Sequence, residues 1–382
     1  MSTPAKELVA VAMSGGVDSA VTAALLQERG FEVIGVTMEL WRDAEMGEPS
    51  RSGNRCCSLA QTGDARLVAG RLGLRHYVVD LRDEFESLVV NDFCREYAAG
   101  RTPNPCLLCN KHLKFRLLLQ RMQTWGVERL ATGHYARLDQ CPQTGRWRLR
   151  RGVDPGKDQS YALYAMGQEE LARVFFPLGE LTKGAVRAKA AELGLHVADK
   201  RDSQEICFTP RGGHAAFVTS RLPEAGRPGD FLNESGEVVG RHRGLAHYTI
   251  GQRRGLALSG PDRLYVTEID AAANAVRVSG RAALARPALS AEGLNWVSGS
   301  PPAIPLRIQA QVRYNSSPQK AALVALSSES AVVQFDQPAY GIAPGQAVVF
   351  YLGDEVLGGG TIARSFERWP PDCPLSQSGD PS

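Results

Sequence analysis

No stretch of this 382-residue chain is apolar over the roughly twenty residues that a membrane-spanning helix needs, so a helical membrane protein is excluded. The formal net charge is only +3, so a nucleic-acid partner would have to be gripped by local basic patches, not by a bulk field. Eight cysteines in so long a chain do not make a secreted disulfide scaffold. They point instead to catalysis, redox exchange or metal binding in a reducing compartment. No internal repeat is visible. The N-terminus carries no signal-peptide pattern and reaches its first apolar run within a few residues, so a cytoplasmic location is expected. What remains is an ordinary globular composition, too long for one core, so two or three domains are expected.

The chain is organised around Ala12-Met13-Ser14-Gly15-Gly16-Val17-Asp18-Ser19. The Val-containing run before it reads as a buried parallel strand. Asp18 to Arg29 carries apolar residues at helical spacing and stops at Gly30. The glycines therefore sit in a strand-to-helix turn, where backbone can approach a ligand closely. Ser hydroxyls, loop N–H groups and the positive end of a helix dipole converge there, as a phosphate cradle requires. The Walker pattern, with its Lys, is missing, and so is the dinucleotide G-x-G-x-x-G turn. The string S-G-G-V-D-S resembles instead the PP-loop of ATP pyrophosphatases; the structural alternative is an ordinary Gly-containing turn.

Strands at residues 31–38 and 76–81 alternate with helices at 58–72 and 83–99. This alternation predicts a doubly wound parallel sheet with its ligand at the C-terminal strand ends. Met38, at such an end, fits an adenine contact or a core position equally well. Residues 41–54 read as a mobile loop. In Gly100–Lys111 two prolines hold off a helix until after Pro105, which places Cys109 near a helix N-terminus with Lys111 and His112 close in sequence. Both features favour thiolate. Cys106 and Cys109 also spell C-x-x-C. A nucleophilic or redox cysteine, half of a metal or iron–sulfur site completed by Cys56 or Cys57, and two structural cysteines are the competing readings.

Further on, A-T-G-H-Y ends a strand, with His134 as a phosphate contact or a structural histidine. Arg146, Arg148, Arg150 and Arg151 interleave with apolar residues like an exposed strand beside an acidic partner. Lys157 opens a helix and either neutralises phosphate or caps it. Cys207 follows a charged loop and is a candidate reactive thiol. Beyond it short strands replace helices. Arg241, Arg243, Arg253 and Arg254 interleave with His and Tyr, the pattern of a surface for an RNA backbone. From about Leu289 the chain reads as a small all-β barrel, and its Pro/Ser-rich end as disordered.

The order S-G-G-V-D-S, G-R-T-P-N-P-x-x-x-C-N-K, A-T-G-H-Y, K-D-Q-S-Y, D-S-x-x-I-C-F and Y-T-I-G-Q-R-x-G-L resembles the tRNA-specific 2-thiouridylase family over nearly the whole chain. The resemblance implies a PP-loop catalytic domain at residues 1–210, a small mostly-β tRNA-contacting domain at 211–285, a C-terminal β-barrel at 286–368 and a disordered tail at 369–382. It implies ATP contacts at Ala12, Met13, Ser14, Gly15, Gly16, Val17, Asp18, Ser19, Met38 and Gly133. Asp18 also serves catalysis. Target-base contacts are implied at Asn104, Pro105 and Cys106, and tRNA contacts at Lys157, Asp158, Gln159, Arg313 and Tyr314.

By the same resemblance Cys109 is the catalytic nucleophile and Cys207 carries a persulfide. The two close a disulfide as sulfur passes to C2 of a wobble uridine activated by adenylation. The implied partners are a tRNA with a wobble uridine and a sulfur-donor protein, and no membrane. Mg²⁺ is expected with ATP. No other metal is assigned, although Cys106 stands where family members with a single cysteine in this stretch often carry Asp. That departure keeps a C-x-x-C redox pair or an iron–sulfur cluster open.

Overall fold

Val9 and Val11 point to one side of the first strand and Ala10 to the other, and all three are fully buried. A strand covered on both faces belongs in the middle of a layered α/β domain. The computed structural model describes residues 6–41, 59–202, 206–210, 213–258 and 263–368. Cys56, Cys57, most of the loop read as mobile and the C-terminal tail lie outside the described residues.

Strands β1 (Leu8–Ala12), β2 (Glu32–Glu39), β3 (Arg75–Asp80), β4 (Arg129–Ala131) and β7 (Val174–Phe175) form a parallel sheet in the order β3-β2-β1-β4-β7. On the Val9/Val11 face lie the helices Val17–Glu28, Leu59–Arg71 and Lys183–Glu192, through Val21, Val68 and Val186. On the Ala10 face lie two long helical runs, residues 82–98 and 105–123, each with a π-helical stretch inside it. The reversal of strand order beside β1 opens a crevice above its C-terminal end, where a ligand of this architecture sits.

The hairpin of β5 (Ala136–Gln140) and β6 (Trp147–Arg151) leaves this sheet. Its arginines do meet acids, but within the chain. Arg148 binds Asp139 at 2.7 Å, Arg137 binds Asp354 at 2.6 Å and Arg150 binds Asp354 at 2.5 Å. The charge alternation legible in the sequence is therefore an internal seam, not a docking edge.

A second sheet joins β8 (Gly229–Leu232), β9 (Val238–His242), β10 (Tyr265–Asp270) and β11 (Ala275–Ser279) in the order β10-β11-β8-β9 around Phe231, Val266 and Val276. The arginines of the basic strip face outward here, while His242 and Tyr248 turn inward against Phe231. His247 stays half-buried within electrostatic reach of Arg243.

The third sheet holds β12 (Ala285–Trp296), β13 (Leu306–Gln311), β14 (Gln319–Leu326), β15 (Ser330–Tyr340), β16 (Ala347–Leu352) and β17 (Glu355–Phe366). It runs β12-β15-β14-β13-β16-β17, and pairing of β12 with β17 closes it into a six-stranded barrel. The first residues of β17 also pair with β6, so the hairpin is stitched to the barrel.

Candidate active site

The turn after β1 is shaped by its glycines. Gly15 has φ +69°, and a Cβ there would lie 2.2 Å from the Gln61 carbonyl oxygen, so only glycine fits. Ser19 closes the turn from inside: its hydroxyl donates to the Gly16 carbonyl at 3.1 Å and accepts the Ser14 N–H at 3.2 Å. Gly16 caps the helix Val17–Glu28 with no side-chain hydrogen bond. An anion arriving here would meet the N–H groups of the first turn and the positive end of the dipole. Gly133 approaches the same turn from β4, and a Cβ on it would come within 2.9 Å of Asp18 and of the Ser19 nitrogen. The glycine of A-T-G-H-Y is thus demanded by the cradle's own backbone.

Asp18 is the hub of a polar network. Lys183 Nζ donates to its two carboxylate oxygens at 2.7 and 2.8 Å, and the Tyr135 hydroxyl donates to Oδ1 at 2.7 Å. Burial, then the Asp18 charge, pushes the Tyr135 phenol far up, so it stays a donor. Lys183 also binds Asp202 at 2.8 Å; Asp202 in turn binds Lys157 at 2.8 Å and has Arg187 at 3.7 Å. Burial alone would raise the Asp202 carboxyl, but hydrogen bonds from Lys157 and Lys183 outweigh it and hold it below its ordinary range. Lys200 donates to the Gly15 carbonyl at 2.8 Å and to Asp64 at 2.5 Å.

The thiol strap lies where the other two sheets meet this domain. Gly100, at φ +71°, abuts Ile269 of β10. The Thr102 N–H donates to the Pro344 carbonyl at 2.9 Å, and Gln346 Nε2 donates to the Thr102 carbonyl at 2.7 Å. Asn104 then caps a helix by accepting the Cys106 N–H at 3.2 Å, with Pro105 as its first residue. Proline is suited to that position because its missing N–H needs no partner there. The helix therefore starts at Pro105, slightly earlier than the two prolines suggested. Cys106 is exposed and Cys109, one turn on, is buried. Burial, with Lys111 and Arg116 nearby, pushes the His112 imidazole below its ordinary value.

Cys207 is partly buried against the core that contains Cys109. The neighbouring Phe208 anchors it, packing edge-on against Phe85 at 5.5 Å and Phe93 at 5.1 Å. Those rings belong to the run 82–98, on which the Cys109 helix also packs. Cradle and strap are linked as well. Tyr135 N–H donates to Gln159 Oε1 at 3.1 Å, and Asn110, beside Cys109, donates its side-chain N–H to the Ala162 carbonyl at 2.9 Å. Tyr314 of the barrel lies within electrostatic reach of Cys106, Asp158 and Lys157. Residues remote in sequence thus line one region, from Asp18 through Tyr135 and Gln159 to Cys106 and Tyr314.

Residues 7–211 match the family model described as "tRNA methyl transferase HUP domain", 215–280 "tRNA methyl transferase PRC-barrel domain" and 286–362 "Aminomethyltransferase beta-barrel domain". A tRNA-specific 2-thiouridylase MnmA from Heliobacterium modesticaldum is 49% identical over 96% of this chain and 95% of its own length. One from Pelotomaculum thermopropionicum is 49% identical over 94% and 97% of the two chains, and one from Geobacter metallireducens 46% over 95% and 98%.

The chain belongs to the tRNA-specific 2-thiouridylase family.

It is an enzyme of the transferase class, built on the PP-loop fold. Several residues that the sequence pointed to also make structural contacts. Met38 is buried in the core on the Ala10 face of the sheet. Asp158 accepts the N–H groups of Gly152 and Ser160, both at 3.0 Å, and the Ser160 hydroxyl at 2.9 Å. Arg313 donates to the Ile250 carbonyl at 2.7 Å and stands against Gly251 and Gly341, pinning the central sheet to the barrel. Ser160–Leu163 after Lys157 is a 3-10 turn, not a full helix. His134 is buried between Phe115 and Phe176 with Nδ1 2.7 Å from the Thr132 hydroxyl; burial keeps it neutral, as a structural histidine would be.

Tyr135, Lys183, Lys200 and Asp202 went unread as site residues. Tyr135 and Asp202 stood inside or beside quoted motifs, and that proximity was the available signal. Among the described residues no three His, Cys, Asp or Glu side chains gather as a metal site. Mg²⁺ held by one carboxylate and ATP phosphates would take Asp18, in the first turn of the cradle helix. An iron–sulfur cluster needs more thiolates than Cys106 and Cys109 supply, and Cys56 and Cys57, the candidates to complete it, lie outside the described residues.

Proposed function

We propose that this enzyme 2-thiolates the wobble uridine of tRNA at the expense of ATP, in the cytoplasm, with sulfur delivered by a persulfide-carrying donor protein. The reading rests on one observation above all: Tyr135 bonds both Asp18 of the cradle and Gln159, and the Ala162 carbonyl, in the turn that follows Gln159, accepts a hydrogen bond from Asn110 beside Cys109 at 2.9 Å. The relatives' name supports sulfur transfer, and so does the cysteine pair, although two domain descriptions carry the words methyl transferase.

The chemistry follows from uracil's weakness as an electrophile. Its C2 oxygen leaves poorly, so O2 first attacks the α-phosphate of ATP and pyrophosphate departs into the turn Ala12 to Ser19, bordered by Met38 and Gly133. Donors already placed for the developing charge need no reorganisation. When bound, Mg²⁺ supplies further neutralisation of the polyphosphate. The terminal sulfur of a Cys207 persulfide attacks C2, and AMP leaves. The Cys109 thiolate then attacks the Cys207 sulfur, the S–S bond to the transferred atom breaks, 2-thiouridine is released and a Cys109–Cys207 disulfide remains. Two electrons from a thiol reductant reopen it. Closing that bond requires the two Cα atoms within about 7 Å in one state.

Asn104, Pro105 and Cys106 receive the target base, which leaves an already single-stranded loop at a cost of at most a few kcal/mol. Lys157, Asp158, Gln159, Arg313 and Tyr314 order the tRNA against the strap. The catalytic domain of residues 1–210, the central domain and the barrel each present part of that surface. The test is nucleoside analysis of tRNA after incubation with ATP and a persulfide source. Cys109→Ser and Cys207→Ser lose 2-thiouridine yet still release pyrophosphate in a single turnover, whereas Asp18→Ala loses both. Normal 2-thiouridine from the Cys207→Ser protein sinks the relay.

A further inference from the structure

The cations around the glycine turn are already taken. Lys183, only 9% exposed, is shared between Asp18 and Asp202, and Lys157 and Arg187 converge on the same Asp202 carboxylate. The segment that carries Asp202 lies directly on the cradle. Lys200 holds the Gly15 carbonyl, and Arg187 clamps the Ala198 and Lys200 carbonyls at 2.6 and 2.9 Å. One carboxylate ringed by three cations, beside a turn shaped for phosphate, is in the position of a bound anion.

We infer that Asp202 is an internal stand-in for the nucleotide's phosphates: it holds Lys183 and Lys157 while the site is empty and surrenders them to ATP, with Lys183 becoming a phosphate contact. This inference rests on the ATP-using reading above and deepens it. The exchange is physically cheap in one direction. Lys157 and Asp202 keep part of their side chains in water and Lys183 stays paired with Asp18, so a polyphosphate with several charges outcompetes a single carboxylate. Asp18, freed from Lys183 in the same event, is then open to a cation that travels with the nucleotide. The residues from Val197 to Asp202 lose their hold on the turn as ATP arrives.

The full chain is titrated calorimetrically with ATP and Mg²⁺, without tRNA or sulfur donor. Asp202→Asn binds ATP roughly three- to tenfold more tightly than the unaltered protein, because the competing anion is gone. Lys183→Met binds it about tenfold or more weakly. Asp336→Asn controls for the general gain of positive charge. It removes a carboxylate held by Arg307 in the barrel, remote from the cradle, and its effect stays below about twofold. In parallel, ATP speeds hydrogen exchange across Val197–Asp202 in the unaltered protein, and Asp202→Asn exchanges fast without it. Both results have to hold. Weaker or unchanged ATP binding by Asp202→Asn, as a Mg²⁺-ligating carboxylate would produce, overturns the inference and leaves the thiolation reading intact. Exchange that ignores ATP does the same. An unaltered protein that binds no ATP overturns both.

Discussion

The two halves of the site are held together by different forces. Around the glycine turn, Asp18, Lys183, Asp202, Lys157 and Lys200 are fixed by charge, in side chains that water still reaches. Around the thiols, Cys109 and the Phe208 neighbour of Cys207 are fixed by apolar packing among Phe85, Phe93 and Phe217. The difference teaches what each half can do. Ion pairs can swap one anion for another at little net cost, so the first half can admit a polyphosphate. Aromatic packing cannot be rearranged without opening a cavity, so the second half keeps its cysteine segments against one scaffold until something stronger than solvent moves them.

Three measurements break or sharpen that contrast. The largest effect belongs to Phe208→Ala. Phe208 is 1% exposed and touches three rings, so its truncation costs about 3–5 kcal/mol in a urea unfolding titration. ATP affinity stays near that of the unaltered protein if the two halves are as separable as their forces suggest. The converse is Gly133→Ala. Its added methyl meets the backbone of Asp18 and Ser19 at 2.9 Å, which costs about 1–3 kcal/mol and weakens ATP binding, with the thiol side unaffected. Thiol reactivity of Cys207 towards a small alkylating reagent reads the second half in both variants.

The smallest effect is a pH dependence. Burial, followed by the Lys114 charge, holds the His134 imidazole well below its ordinary value of 6.5. A group depressed in the folded state binds more protons when unfolded, so its share of stability is present above pH 6.5 and is lost as pH falls towards the folded value. The slope amounts to at most about 1.4 kcal/mol per pH unit. His76 and His214 are shifted in the same direction, so the comparison with His134→Gln isolates one share. Unfolding midpoints between pH 5 and 7 that fall equally in both proteins would remove His134 from the account.

What the sequence could show followed from local physics. Ser14 to Ser19 is a strand, a glycine turn and a helix start within one short stretch, so its geometry is dictated by neighbours in the chain. Gly30 likewise follows the helix Val17–Glu28 where the sequence placed its stop. The strand Gln319–Leu326 is illegible in the sequence because its Ala-rich core carries no clean alternation. The Arg146–Arg151 strand revealed that acids face it, but not that Asp139, Asp354 and Glu355 are those acids.

By itself the sequence determined the cradle, the alternating strands and helices around it, the candidate thiols and the individual motifs, because each depends on residues a few positions apart. Only the tertiary structure decided that Lys183 reaches Asp18 across 165 positions, that Tyr135 reaches it across 117, and that Asp202 occupies their common cations. A side-chain pairing of that kind depends on how sheets and helices pack, and packing is settled by the whole core, not by any stretch of chain.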